Sequence, residues 1–466
     1  MGIILQGGTI VTAADTYQAD VRLEGEQIAA IGQQIKQSYD EVISVAGCYI
    51  FPGGIDPHTH FDLPIGIMRT ADDFASGSQA ALVGGTTTVV DFATQFRGET
   101  LAEALKNWHG LSSGRCYTDY GFHMAITDWS DNIAQEMTAL VNDQGVSSFK
   151  LYMAYKHVLQ VDDSILLAAF QQASKCGALI CLHCENGDVI HMLTQQALGR
   201  EQYAPCYHPA VHPAAFEEEA VRRAIMLAKL GGAPLYVVHL TCQGALEAVA
   251  EAKLQGQEVY AETCPQYLLL DDSKYDLPDF EGAKYVISPP LRQSGNLQVL
   301  WQGLATGIID TVATDHCSFN FAGQKTIGLH DFSKIPNGMA GVETRLALLY
   351  TYGVLTRKIT LNQFVALTST NAAKLCGLYP RKGTIAVGSD ADITVWDPAY
   401  DGIITAATQK QQVDYSPFEG FRQRGRAKQV YLRGMQVVAD AKLVFDKPQG
   451  QYVRRQAYHR GGTDYV

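Results

Sequence analysis

The chain has 466 residues, room for one large domain plus a smaller one, and its 47% hydrophobic and 18% charged content is that of a folded globular protein. Its 36 basic and 48 acidic residues leave a formal charge of −12, which excludes the basic footprint of a nucleic-acid-binding protein. No apolar run approaches the roughly 18–20 residues of a membrane-spanning helix, and the start, Met1-Gly2-Ile3-Ile4-Leu5, lacks the basic leader and long apolar segment of a signal peptide.

In chain order, the first fifty residues read as short strands at 3–5, 9–11, 20–24, 27–31 and 41–44, punctuated by Gly7-Gly8, Gly25 and Gly32. The region from Gly383 onward reads the same way, with strands at 391–396, 429–433 and 435–439. Neither piece has enough strands for its own core, so the two are expected to join in one small β-sandwich that brings the termini together. Between them, strand-like runs at 49–55, 86–92, 119–126, 148–152, 179–183, 235–240, 259–263 and 311–314 alternate with amphipathic segments such as 72–83 and 217–230. Eight such alternations predict an α/β chain built on a parallel (β/α)8, TIM-like barrel. A doubly wound sheet would want a Gly-x-Gly-x-x-Gly turn after its first strand, and none is present. The expected division is 1–51 and 379–440 for the sandwich, 52–378 for the barrel and 441–466 for a tail without helical or strand period.

The ten cysteines follow no framework spacing, so free thiols in a reducing cytoplasm are expected. Cys181 and Cys184 form a C-x-x-C with no second pair to complete a four-sulfur zinc site. A short basic stretch, Arg422, Arg424, Arg426 and Lys428, reads as a solvated loop in an acidic chain, not a membrane-surface patch. Glu217-Glu218-Glu219 reads as a solvated helix start placed to favour the helix dipole.

Barrel enzymes carry their chemistry at the C-terminal ends of the strands. Read in order, those ends present His58 and His60 after strand one, Lys150 on strand four, His183 on strand five, His239 on strand six and Asp315 after strand eight. An isolated H-x-H is more often a pair of loop histidines. Four imidazoles, a carboxylate and a lysine meeting at one barrel mouth instead make a set that grips divalent metal. Lys150 is the odd member, because an ammonium would repel the metals. Burial can depress its pKa, or carbamylation by CO2 can turn it into a carboxylate-like anion able to bridge two ions. His123 and His316, beside strands, are expected in supporting or core positions.

Several motifs resemble the dihydropyrimidinase/D-hydantoinase branch of the cyclic amidohydrolases. They are 53–60, Gly84-Gly85-Thr86-Thr87-Thr88, Asp91-Phe92, 149–155, 262–268 and Thr314-Asp315-His316-Cys317. The resemblance implies two zinc ions bridged by a carbamylated Lys150, with His58, His60 and Asp315 on one metal and His183 and His239 on the other. It implies Asp315 as the proton carrier, Tyr155 as donor to the tetrahedral oxyanion, and Ser288 and Asn337 as clamps on the cyclic imide, largely through main-chain groups. A homotetramer, with the tail reaching a neighbouring subunit, is implied in the same way.

Related dihydroorotases carry an Arg two residues after the second histidine, to hold a carboxylate. Here the chain reads His60-Phe61-Asp62, which disfavours a carboxylated ring. Leu63, Pro64, Ile65 and Tyr152 are expected to line an apolar pocket for the ring's exocyclic group. That favours 5-substituted hydantoins or dihydropyrimidines, opened to N-carbamoyl amino acids, over the ureido-bearing ring of an allantoinase. A third reading, a scaffold of the same fold that has lost its chemistry, predicts missing ligands, and all six positions are present.

Overall fold

The computed structural model describes residues 2–458. Eight parallel strands follow one another around a nearly closed barrel: Gly54–Thr59, Thr86–Thr94, Asp119–Ala125, Ser148–Tyr152, Leu179–His183, Leu235–Val237, Val259–Thr263 and Thr311–Val312. A parallel bridge between Thr59 and His316 joins the last strand's exit to the first. Most of these strands are buried along their whole length, as parallel strands covered by helices must be. Their outward faces and the helices share the main apolar core, which includes Phe122, Phe149, Leu151, Leu182, Val237, Trp301 and Phe364.

Both termini supply the second unit. A seven-stranded sheet runs in the order Lys442–Leu443, Met435–Ala439, Arg422–Leu432, Ile393–Ile403, Tyr49–Pro52, Thr9–Val11, Thr16–Gln18. A four-stranded sheet, Gln27–Gly32, Asp20–Glu24, Ile3–Gln6 and Glu41–Ser44, packs on it. Leu5, Ile10, Val21, Leu23, Ile50, Ile393, Val395 and Tyr431 share one core between the two sheets. N- and C-terminal segments thus complete each other, as their individual shortness requires.

The apolar run 49–55, expected to be one barrel strand, is two strands in two sheets. Tyr49–Pro52 pairs antiparallel with Ile393–Ile403 in the outer sheet, and Gly54–Thr59 opens the barrel. Gly53 is the joint: a Cβ there would sit 2.1 Å from the Thr87 hydroxyl, so only glycine lets the chain cross between sheets this closely. Arg422, Arg424, Arg426 and Lys428 lie on the strand Arg422–Leu432, not in a loop, with Arg422 paired to Asp401 and Arg426 stacked 4.4 Å over Tyr400. Alternating exposed and buried positions along that strand keep the charges in water.

Segment 449–458 runs along the barrel's N-terminal end in this same chain. Val453 N donates to Tyr120 O (2.8 Å), Arg455 N to Gly145 O (3.0 Å) and Tyr458 N to Gly177 O (2.7 Å). Residues 459–466 of the expected tail lie outside the described residues.

Candidate metal centre

The opposite, C-terminal end of the barrel gathers all six predicted ligands. His58 leaves strand one fully buried, and its Nε2 lies 3.1 Å from Asp315 Oδ1; His60 Nε2 lies 3.2 Å from the same oxygen. The three donor groups are close enough to share one ion. Beside them, His183 Nδ1 and His239 Nε2 are 3.0 Å apart, and the His58 and His239 rings are separated by 5.5 Å. Lys150 enters from strand four, 1% exposed, with Nζ 5.1 Å from the centres of both the Phe92 and Tyr152 rings.

Backbone geometry marks the same residues. Asp315 (φ 51°), His239 (φ 40°) and Tyr155 (φ 66°) are non-glycine residues in the left-handed region. Such conformations cost of order 1–3 kcal/mol each and persist only where surrounding structure imposes them.

Two carboxylates orient the imidazoles. Glu262 Oε1 lies 2.7 Å from His58 Nδ1, while its other oxygen accepts from Tyr236 Oη at 2.6 Å. Glu185 Oε2 lies 2.9 Å from His183 Nε2. With those nitrogens protonated to serve the carboxylates, His58 Nε2 and His183 Nδ1 turn lone pairs toward the centre. Sequence reasoning missed both acids, although Glu262 stands at the end of strand seven and Glu185 two residues past a ligand. The strand-end criterion that found the histidines would have found them.

Electrostatics follow from enclosure. Burial pushes His239 well below the ordinary imidazole value, with His183 and Lys150 adding to it, so it is a neutral donor. Burial also lowers His60. Burial would lower His58 as well, but the Asp315 and Glu262 carboxylates outweigh it and raise the imidazole to about 9. Burial would raise Asp315, yet His58 and His60 hold it well below the usual carboxylate range. Lys150 is lowered, first by burial.

The donor set fits divalent metal on an observation of its own: His183 Nδ1 and His239 Nε2 face each other at 3.0 Å, and His58 Nε2 and His60 Nε2 both face one Asp315 oxygen, at 3.1 and 3.2 Å. His58 Nε2 is buried without a well-formed hydrogen bond, and an ion supplies the missing partner. A second acidic trio with ligand-like spacing, Asp119, Asp390 and Asp392, is filled instead by the Lys382 ammonium, at 2.7, 3.1 and 2.6 Å.

Tyr155, Ser288 and Asn337 lie together on the rim. Asn337 Nδ2 donates to Ser288 Oγ at 3.2 Å, and the Ser288 side chain faces the Tyr155 phenol. The Tyr155 ring is 5.1 Å from His183 and 6.0 Å from Tyr152. Burial raises the phenol well above its ordinary value, so it stays protonated and able to donate. Leu63 and Ile65 are half-buried on the loop and hairpin after His60, where Pro64–Ile65 pairs with Met68–Arg69. Leu63 leans on the main core, and Ile67 stands fully exposed at the tip. Asp62 turns away from the mouth, accepting from Phe74 N at 3.0 Å and lying 3.4 Å from Arg69.

His123 and His316 are buried supports: His123 Nε2 meets Pro57 O at 2.9 Å, and His316 Nε2 lies 3.0 Å from Asp72. Glu217 departs from its expectation. It is 2% exposed, takes Thr241 N at 2.7 Å and pairs with Arg292 at 2.8 Å, because the helix Ala214–Gly231 turns its first acid inward beneath the loop that follows His239.

An amidohydrolase family model matches residues 49–437. A D-hydantoinase of Geobacillus stearothermophilus is 48% identical over 455 residues, covering 98% of this chain and 97% of that protein. The crystal structure of a dihydropyrimidinase from Brevibacillus agri superposes with a TM-score of 0.98 at 48% identity, covering 99% of this chain and 100% of the other. A D-hydantoinase from a Bacillus species, AR9, gives a TM-score of 0.97 at 50% identity, covering 98% and 100%.

Proposed function

Since the chain belongs to the D-hydantoinase/dihydropyrimidinase branch of the metal-dependent amidohydrolases, we propose that it opens the cyclic amide ring of 5-monosubstituted hydantoins or dihydropyrimidines to N-carbamoyl amino acids. The observation that carries this reading is the convergence of His58, His60, Lys150, His183, His239 and Asp315 at one barrel mouth, with four imidazole nitrogens and a carboxylate oxygen turned toward one another. We assign His58, His60 and Asp315 to one zinc ion, His183 and His239 to a second, and a carbamylated Lys150 to the bridge. When bound, the two ions supply Lewis acidity that activates water and polarises the amide carbonyl.

The chain's own groups do the rest. Glu262 and Glu185 hold His58 and His183 in the tautomers that face inward. Asp315, kept ionised by the neighbouring imidazoles, accepts the proton of the attacking water and delivers it to the leaving ring nitrogen as the C–N bond breaks. The Tyr155 hydroxyl donates to the oxyanion that forms on the former carbonyl oxygen. Main-chain groups at Ser288 and Asn337 grip the imide, and Leu63, Ile65 and Tyr152 give its exocyclic substituent an apolar wall. The second position after His60 carries the acid Asp62, and the nearby Arg69 is engaged by it, which disfavours a ring carboxylate.

All ten cysteines are free, which fits the cytoplasm, and no helix among the described residues is long and apolar enough to cross a membrane. Assembly as a homotetramer is part of the same proposal and is checked by light scattering. The reaction is tested by a ring-opening assay on phenylhydantoin, dihydrouracil, allantoin and dihydroorotate. Turnover of the first two and not the last is expected. A preference for allantoin or dihydroorotate would overturn the substrate assignment.

A further inference from the structure

Lys325 is 0% exposed and starts the short turn Lys325–Gly328 on the loop after Asp315. Its Nζ donates to three main-chain carbonyls: Val286 O at 2.9 Å, Pro336 O at 2.7 Å and Gly338 O at 2.8 Å. Three N–H donors meet three acceptors, so the ammonium is saturated. The groups around it are the Cys317 thiol and the Phe319 ring, 5.8 Å from Nζ, and among the described residues no carboxylate pairs with it. Burial without a counter-ion lowers the amine to about 7, and the three carbonyl acceptors around it favour the charged form; an apolar side chain would fill the same space without that penalty.

What the cation does that an apolar group could not is join two segments that are far apart in sequence, 286–288 and 336–338. Those segments carry Ser288 and Asn337. They are already close, since Gly338 N donates to Val286 O at 3.0 Å and Asn337 reaches the Ser288 hydroxyl. There is no slack: Gly338 has φ 150°, and a Cβ there would lie 2.2 Å from Cys317 O. The Ser288 side chain also faces Tyr155, the group assigned above to the oxyanion.

We propose that Lys325 is a positioning residue for ring opening: its ammonium holds the Val286, Pro336 and Gly338 carbonyls in one cup and thereby sets the spacing of the two main-chain segments that grip the cyclic imide. Lys325 has no exposed surface and its donors are taken by the three carbonyls, so it acts through those segments. The proposal rests on the clamp role given above to Ser288 and Asn337. Without the cup, the segments drift and substrate binding loosens, while the metal centre, built from other strands, is unchanged.

Lys325→Met keeps the length of the side chain and removes every donor; Lys325→Gln keeps two. Kinetics on phenylhydantoin and dihydrouracil, with metal content measured alongside, separate the possibilities. For Lys325→Met we expect KM to rise about tenfold, kcat to stay within about threefold and bound metal to match the parent, with Lys325→Gln between the two. A role in stability alone lowers the active fraction, so kcat falls at constant KM, and that result overturns the proposal. Loss of metal in either variant, or failure of both to fold, also overturns it, because Lys325 would then serve the core and not the clamp. An unmodified protein inactive on every ring would sink the functional reading and this proposal with it; an active one with unchanged KM in Lys325→Met sinks the proposal alone.

Discussion

Lys150 and Asp315 share one enclosed mouth, yet enclosure treats their charges in opposite ways. Burial lowers the Lys150 amine, while imidazoles hold Asp315 ionised against burial. An uncharged amine is the form that reacts with CO2, so the same burial that makes an ammonium costly favours the carbamate proposed as the bridge. Lys150→Ala is therefore expected to lose activity and bound metal together, and short carboxylic acids are expected to restore part of both. Full activity in that variant would refute the bridge. His58 sets the pH response of the metal-free protein. Its imidazole, raised from 6.5 to about 9, contributes stability that is fully present below about 6.5 and is lost as pH rises through about 9. An ion at the His58 site must displace that proton, so affinity there should climb as pH rises toward about 9, with about one proton released. Calorimetric titration of metal-free protein in buffers of different ionisation enthalpy checks this, and a pH-independent affinity would count against it.

At the scale of elements, the barrel mouth depends on where strands begin as much as on where they end. Arg345, 0% exposed, stands at the start of the short helix Arg345–Leu349 and reaches across the barrel wall. It donates to Ile55 O at 2.8 Å, Val312 O at 2.9 Å and Thr86 Oγ1 at 3.0 Å, clasping strands one, two and eight, and lies 3.9 Å from the buried Asp56. Strand eight is two residues long, so this clasp takes over work that ladder hydrogen bonds do elsewhere. Arg345→Met should cost about 3–5 kcal/mol, because it leaves buried carbonyls without their donor and Asp56 without its nearest cation, and should lower the calorimetric transition by about 3–5 °C. An unchanged transition would show that the strands close without it. The helix Phe74–Val83 is set more locally: Asp73 caps it, with Ser76 completing the reciprocal pair. That signal lies within a local window, and the sequence shows 72–83 as an amphipathic segment. The break at Gly53 was not, because it depends on Thr87 lying against the glycine across the fold.

For the whole molecule, one buried ion cluster fastens the barrel to the sandwich. Lys382 binds Asp119 of barrel strand three together with Asp390 and Asp392, which lead into Ile393–Ile403; Arg433 joins from the turn after the neighbouring strand through Asp119 and through its main-chain N–H to Asp392 at 2.8 Å. Burial acts against the Lys382 charge, but the three carboxylates hold its pKa above the ordinary value. Lys382→Met would leave those acids buried without their cation, a loss of about 3–5 kcal/mol. We expect a lower unfolding temperature and readier separation of the two units under limited proteolysis, with metal content and KM unchanged. Retained stability would mean that Arg433 at Asp119 and Arg381 at Asp390 suffice.

Local pattern, by itself, determined the alternation of eight strands with helices, the need for the two terminal pieces to combine, and the identity of six polar side chains at strand ends. Strand period and strand length are properties of neighbouring residues, so a sequence records which side chains emerge at a barrel mouth. Tertiary structure alone decided what stands behind them. Glu262 meets His58 across 204 positions of chain, Glu217 turns inward to Arg292, and Lys325 closes over carbonyls from two other loops. Carboxylates and lysines look solvated in any local window. Whether such a group is instead buried and paired depends on partners that only the folded chain delivers, and at those distances no periodicity carries the information.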